Sequence, residues 1–149
     1  MKSFIIIDIE PNSTEHFEFR KGKIGASMAP DIMSAGFDTP LELWEQLMFD
    51  KKKKVSASMS RGITLEPKAR EWINNKLKAD YQPKVIQSIE NPWRIASLDG
   101  YVEKNGEPQL LEIKCPGVQD HLTAIDGHVP DHYMPQLQHQ MDVANVDSM

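Results

Sequence analysis

Asp99, Glu112 and Lys114 are the residues of this chain whose types and spacing are best suited to chemistry. Asp99 stands at the end of one apolar run, and Glu112-Ile113-Lys114 lies on the next. Side chains alternate across a strand, so Glu112 and Lys114 share one face while Leu111 and Ile113 take the other. Asn105-Gly106 between the runs is hairpin-turn chemistry, so the two carboxylates are expected to converge. Like charges that close repel unless a cation neutralises them. Oxygen ligands with an amine beside them suit a hard divalent cation and a proton-handling or charge-stabilising lysine. The chemistry this points to is metal-dependent phosphodiester cleavage.

Taken singly, these residues read more plainly. Asp99 before Gly100 is a common turn aspartate, and Glu112 with Lys114 is a common exposed pair on an edge strand. Glu66 and Arg70, four apart, form an ordinary helix pair. Gln136 and Gln140, one turn apart, suit a polar helix face. The joint pattern is what argues for a site. His121, His128, His132 and His139 are accompanied by no cysteine pair, which disfavours zinc. No G-x-S-x-G elbow and no phosphate-binding glycine loop occurs.

The elements that must hold these residues are legible in outline. Phe4 to Ile9 reads as a strand closed by Pro11-Asn12-Ser13. Thr14 caps a short helix to Phe19, and Pro30 to Ala35 is a second short helix ended by Gly36. Between them, the small residues of Ile24-Gly25-Ala26-Ser27 allow close backbone approach. Thr39-Pro40-Leu41-Glu42 is a strong helix start, with Leu43, Trp44, Leu47 and Met48 as its buried stripe. Thr64 caps another helix with Pro67 in its first turn and Leu65, Ala69, Trp72, Ile73 and Leu77 as core. Strands are expected at Lys84–Ile89, Trp93–Ser97, Tyr101–Glu103 and Gln109–Cys115. A Gly- and His-containing loop leads to a last helix from about His132, with Leu137, Met141 and Ala144 as its apolar stripe. Helices, a mostly antiparallel sheet and a final helix make an α/β or α+β domain.

The chain has 149 residues, enough for one domain with a modest core. Hydrophobic content of 40% and charged content of 26% are those of a globular protein. A net charge of -5 argues mildly against nucleic acid, although carboxylates committed to metal inflate that sum. The basic run from Lys51 to Lys54 reads as a solvated loop, with a phosphate-facing loop as the alternative. The single Cys115 forms no intrachain disulfide, and no run reaches the roughly 20 apolar residues of a membrane helix. A cytoplasmic protein without a membrane role is expected.

Several segments together resemble the lambda-type alkaline exonucleases and YqaJ-like viral recombinase nucleases of the PD-(D/E)XK superfamily. They are Glu15-His16-Phe17 to Arg20, Ile24-Gly25-Ala26-Ser27, Thr39 to Trp44, and Arg61-Gly62 with Leu65-Glu66-Pro67 and Ala69-Arg70. Ala96-Ser97-Leu98-Asp99-Gly100, Leu111-Glu112-Ile113-Lys114-Cys115-Pro116 and Tyr133-Met134-Pro135-Gln136-Leu137-Gln138 to Met141 follow in order.

The resemblance implies a restriction-endonuclease-like α/β fold, a central mixed sheet flanked by helices, across residues 1–149 as one domain. It implies that Asp99, Glu112, the Ile113 carbonyl and Glu66 hold Mg²⁺ or Mn²⁺, with two ions flanking the phosphate. Lys114 then matches the lysine that activates water, and Gln136 the glutamine beside it. Arg20, Ser27 and Ser97 match phosphate binders for a DNA end. The implied activity is 5′-to-3′ exonucleolytic hydrolysis of one strand of duplex DNA. A homo-oligomer, trimeric by likeness, and a single-strand annealing partner are implied too. An endonuclease of the same superfamily and a catalytically silent DNA-binding fragment are the alternatives. Met28 stands where an acid is common in the family, and the chain resembles such a domain without its C-terminal strands and helix.

Overall fold

The computed structural model describes residues 3–49, 51 and 56–149. Strand β1 (Phe4–Ile7) leads into helix α1 (Thr14–Phe19), then the two-residue strand β2 (Ile24–Gly25). A single 3-10 turn (Ala26–Met28) runs into α2 (Ala29–Ile32), followed by α3 (Pro40–Met48) and the long α4 (Ala57–Leu77). Strands β3 (Gln82–Ser88), β4 (Arg94–Lys104) and β5 (Glu107–Leu111) come next, then α5 (Val118–Ile125) and α6 (Met134–Ala144).

The sheet is mixed. β1 pairs antiparallel with β3, β3 with β4 and β4 with β5, whereas β2 runs parallel to β4. Ile95 pairs with both Gln87 and Gly25, and Tyr101 with both Gln82 and Leu110. So β2 and β5 lie in tandem along the edge of β4 that faces away from β3. No strand covers β4 between Ile95 and Gly100 on that edge; the carbonyls of Ile95, Ser97 and Asp99 meet the side chains of His139, Gln140 and Arg70 instead. The core fills the junction of sheet and last helix: Phe4, Ile86, Ala96 and Leu98 pack with Leu110, Val143 and Ala144.

Local chemistry explains most of these elements. α3 begins with a complete capping box, Thr39 accepting from the Glu42 N–H while Glu42 reaches back to Thr39. Asn105 and Gly106 both take positive φ, as a two-residue hairpin requires, and β4 and β5 pair directly on either side of them. Gly100 is dictated by close approach, since a Cβ there would lie 2.9 Å from the Tyr81 Cβ and 3.0 Å from that of Leu111.

Other expectations need correction. β4 is one strand through Asp99, not two strands broken at it. Between Lys84↔Leu98 and Gln82↔Tyr101, β4 spans one residue more than β3, so a bulge falls at Asp99-Gly100. That bulge explains why the sequence reads as a break. β5 stops at Leu111, so Glu112 and Lys114 lie on extended chain just past its end. α1 is capped by Ser13, not Thr14. α4 starts about two turns before Thr64, capped by Ser56, and carries Pro67 in its interior, where one helical hydrogen bond is absent.

The apolar stripes of α3 and α4 are largely exposed. Trp44, Leu47, Met48, Leu65, Trp72 and Leu77 all face solvent, and only Leu43 of that set is buried. α4 attaches to the sheet by polar groups spaced four apart. Arg70 donates to the Asp99 carbonyl, and Asn74 makes two hydrogen bonds to the Tyr81 backbone, at 2.8 and 3.1 Å. α5 forms within the expected loop, and α6 buries the expected Ala144 together with Gln140 and Val143, while Leu137 and Met141 are half-buried. Lys52 to Lys54 lie outside the described residues.

Gly100→Ala should cost about 2 kcal/mol or more through overpacking. A matching fall in urea midpoint at unchanged slope checks this; full stability would contradict the close approach.

Candidate active site

The site forms where β4 is left open on its edge. The β4–β5 ladder ends at Gly100↔Leu111, so the hairpin brings Asp99 and Glu112, the next residue on each side, close together just beyond it. The Ile113 N–H donates to Asp99 Oδ2 at 2.8 Å, extending the ladder through a side chain. The Glu112 side chain is 7% exposed and held on both oxygens. Oε1 accepts from Gln136 Nε2 at 2.6 Å and pairs with Lys114 Nζ at 2.6 Å, while Oε2 accepts from Gln140 Nε2 at 2.7 Å. Lys114 Nζ also donates to Gln136 Oε1 at 2.9 Å, so Gln136 bridges the acid and the amine. The Lys114 ammonium further lies 5.2 Å from the centre of the Tyr133 ring.

α4 approaches from the other side. Glu66 Oε1 accepts from Arg70 Nη1 at 2.9 Å, and the same nitrogen donates to the Asp99 carbonyl. Arg61 on the same helix donates to the carbonyls of Cys115 and Pro116, each at 2.9 Å, and so pins the chain just after Lys114.

Burial and the neighbouring Glu112 carboxylate push the Asp99 carboxyl from 3.8 up to about 7. The Ile113 N–H and Lys114 pull it down, and Glu66 adds to the rise. Asp99 is thus a half-buried acid whose ionised form lacks enough positive charge around it. Hard oxygen donors with such a deficit fit a divalent cation. Among the described residues, no three Asp, Glu, His or Cys side chains gather as a ready cation cage. Mg²⁺ does not need one: it keeps several waters and takes one or two carboxylates together with substrate phosphate. Asp99 and Glu112 supply that pair, with Glu66 at its margin. His128 and His132, four apart, gather no third ligand, and His132 instead lies 3.4 Å from Asp120.

The structure therefore brings together Asp99, Glu112, Ile113, Lys114, Gln136 and Glu66. A second group forms beside it. Arg20 Nη2 donates to Ser27 Oγ at 3.3 Å, and the Ser97 hydroxyl is 2.9 Å from His16 Nε2. Lys21 pairs with Glu18 and Lys51 with Glu45, at the surface.

Two buried residues of the site escaped the sequence reading. Gln140 is fully buried and ties Glu112 to the Ser97 carbonyl at 3.2 Å; its Oε1 accepts no hydrogen bond among the described residues. Its four-residue spacing from Gln136 was the available signal. His16 is 1% exposed, with only its place in an in-order motif to mark it.

A mixed sheet with an acid pair, a lysine and a glutamine at the open edge of its long strand is the lambda-exonuclease-like nuclease fold. The YqaJ-like viral recombinase domain matches residues 15–147, and the chain belongs to that family. It is similar to the crystal structure of an alkaline exonuclease (LHK-Exo) from Laribacter hongkongensis, with TM-score 0.72 and 28% identity over 90% of this chain and 70% of that one. The structure of LHK-Exo in complex with dAMP matches with TM-score 0.71 and 29% identity over 90% and 70% of the two chains. No curated protein matches significantly. No described helix is long and apolar enough to cross a membrane.

The raised Asp99 carboxyl has a thermodynamic consequence. The folded protein retains a proton there that the unfolded chain releases, so this group's stabilising contribution is complete below pH 3.8 and lost as pH rises through about 7. Asp99→Asn should then stabilise the metal-free protein at pH 8 by about 1–3 kcal/mol and change it little near pH 4. Urea unfolding at the two pH values checks this. Equal stability of variant and wild type at pH 8 would contradict it.

Proposed function

We propose that this chain is a divalent-metal-dependent deoxyribonuclease that acts at the ends of duplex DNA, degrading one strand in the 5′-to-3′ direction. The observation that carries the reading is the Asp99–Glu112 pair, half-buried and short of positive charge at Asp99, with Lys114 and Gln136 hydrogen-bonded at its rim. Family membership and the likeness to an alkaline exonuclease support the same reaction class.

Asp99 and Glu112 would hold the cation, with the Ile113 carbonyl and Glu66 completing its oxygen shell; one ion needs only the pair, and a second would draw on Glu66. A bound Mg²⁺ or Mn²⁺ supplies positive charge against the negative charge that builds on the phosphate oxygens. Lys114 orients the attacking water and offsets developing charge, and Gln136 fixes where its ammonium sits. Gln140 and Gln136 keep both Glu112 oxygens in place, so the ligand does not swing with the substrate. Arg20, Ser27 and Ser97, on α1's end, the turn after β2 and β4, offer donors to a terminal phosphate. Phosphates neutralise the surplus of donors there, which explains how an acidic protein takes up DNA locally.

Asp99→Ala and Lys114→Ala should each slow hydrolysis of linear duplex DNA in Mg²⁺ by roughly a thousandfold or more. Undiminished cleavage by either variant would end the proposal. Covalently closed DNA should resist the wild type; its cleavage would make the enzyme an endonuclease. End-labelled strands read the polarity.

A further inference from the structure

Helix α1 buries one side chain, and it is a histidine: His16 is 1% exposed while Phe17, its neighbour, is 55% exposed. A six-residue helix that hides imidazole and displays phenylalanine is not built for apolar packing. Both ring nitrogens have partners. The Asn12 backbone N–H donates to Nδ1 at 2.9 Å, and Nε2 is 2.9 Å from Ser97 Oγ. A backbone N–H can only donate, so Nδ1 carries the lone pair and the neutral ring holds its proton on Nε2. Nε2–H therefore donates to Ser97 Oγ. The ring is kept neutral by its burial and by the adjacent Arg20 guanidinium, both of which lower its pKa.

This assignment fixes what Ser97 can do. A serine hydroxyl ordinarily rotates between giving and accepting. Here one lone pair is taken by His16, and the hydroxyl proton is left to point elsewhere. Arg20, close to His16, also donates to Ser27, so the surrounding groups favour an anion. The backbone partner Asn12 sits in a left-handed conformation, φ 66°, within a turn that Ser13 closes by capping α1. Turn, cap and helix together hold one ring in one tautomer.

We infer that His16 is a positioning residue that commits the Ser97 hydroxyl to donate to a terminal phosphate, and so sets selectivity for phosphorylated DNA ends. The inference rests on the proposed function only for the identity of the anion. A single hydrogen bond to a charged group, removed, costs about tenfold in affinity or more.

The test is binding in the absence of metal, by fluorescence anisotropy, of two duplexes that differ only in a 5′-phosphate or 5′-hydroxyl. The wild type should prefer the phosphorylated end about tenfold or more. His16→Leu should abolish most of that preference, and His16→Gln, whose amide can still donate to Ser97, should restore part of it. Ser97→Ala should behave like His16→Leu, and the double variant no worse than either. Nitrogen NMR of the wild type should report the Nε2–H tautomer, a result that needs no variant to fold. Equal affinity for both ends in the wild type, an Nδ1–H tautomer, or additive losses in the double variant would each overturn the inference. Preference that depends on His16 in a protein without nuclease activity would keep the inference and refute the proposed function.

Discussion

Two carboxylates brought together at the open end of one hairpin are the constraint on which this molecule turns. Asp99 and Glu112 come together just past the last hairpin pair, Gly100↔Leu111, of the ladder that Asn105-Gly106 sets in register. Pairing at that position would be costly for two ionised acids in a partly dry site. The protein offsets it incompletely: three donors surround Glu112, yet Asp99 receives one backbone N–H and stays pushed up to about 7. That residual deficit of positive charge is what the proposed divalent cation would offset.

The surrounding elements act mainly to keep this pair in place. The bulge in β4 falls at Asp99-Gly100, and Gly100 lets Tyr81 and Leu111 close in beside Asp99. α6 contributes two glutamines that fix Glu112, with the buried Gln140 also reaching back to the β4 backbone. α4 contributes Arg61, Arg70 and Asn74, which reach the sheet and the segments beside it through hydrogen bonds, and Glu66, which is paired with Arg70. A helix attached by polar side chains to backbone carbonyls gives directional positioning at little gain in buried apolar area. The exposure of Trp72, Leu65 and Leu77 on that helix follows from the same arrangement.

Local signals in the sequence carried the centre of this site. Hairpin chemistry, strand alternation and the order of the motifs were enough to bring Asp99, Glu112 and Lys114 together. Cap residues were equally legible at Thr39, where the full box forms. The reading failed where tertiary context decides. Apolar spacing on α3 and α4 suggested buried stripes, but a polar face is what docks α4. The start of α4 was hidden by a Ser- and Gly-containing stretch of weak helix propensity and by Pro67, which normally marks a first turn. His16 meets Ser97 across 81 residues of chain, and no local pattern announces a buried imidazole. Glu66 was ambiguous for a reason the structure makes plain, since its bond to Arg70 is both an ordinary helix pair and part of the site's rim.

The decisive question for this site is where positive charge collects. Anomalous diffraction from a crystal soaked in Mn²⁺ addresses it without relying on activity. The account predicts density between the Asp99 and Glu112 carboxylates, within ligand distance of both. A well-ordered soak in which those carboxylates bind no ion, or in which Mn²⁺ settles among the histidines around Asp120, would contradict it.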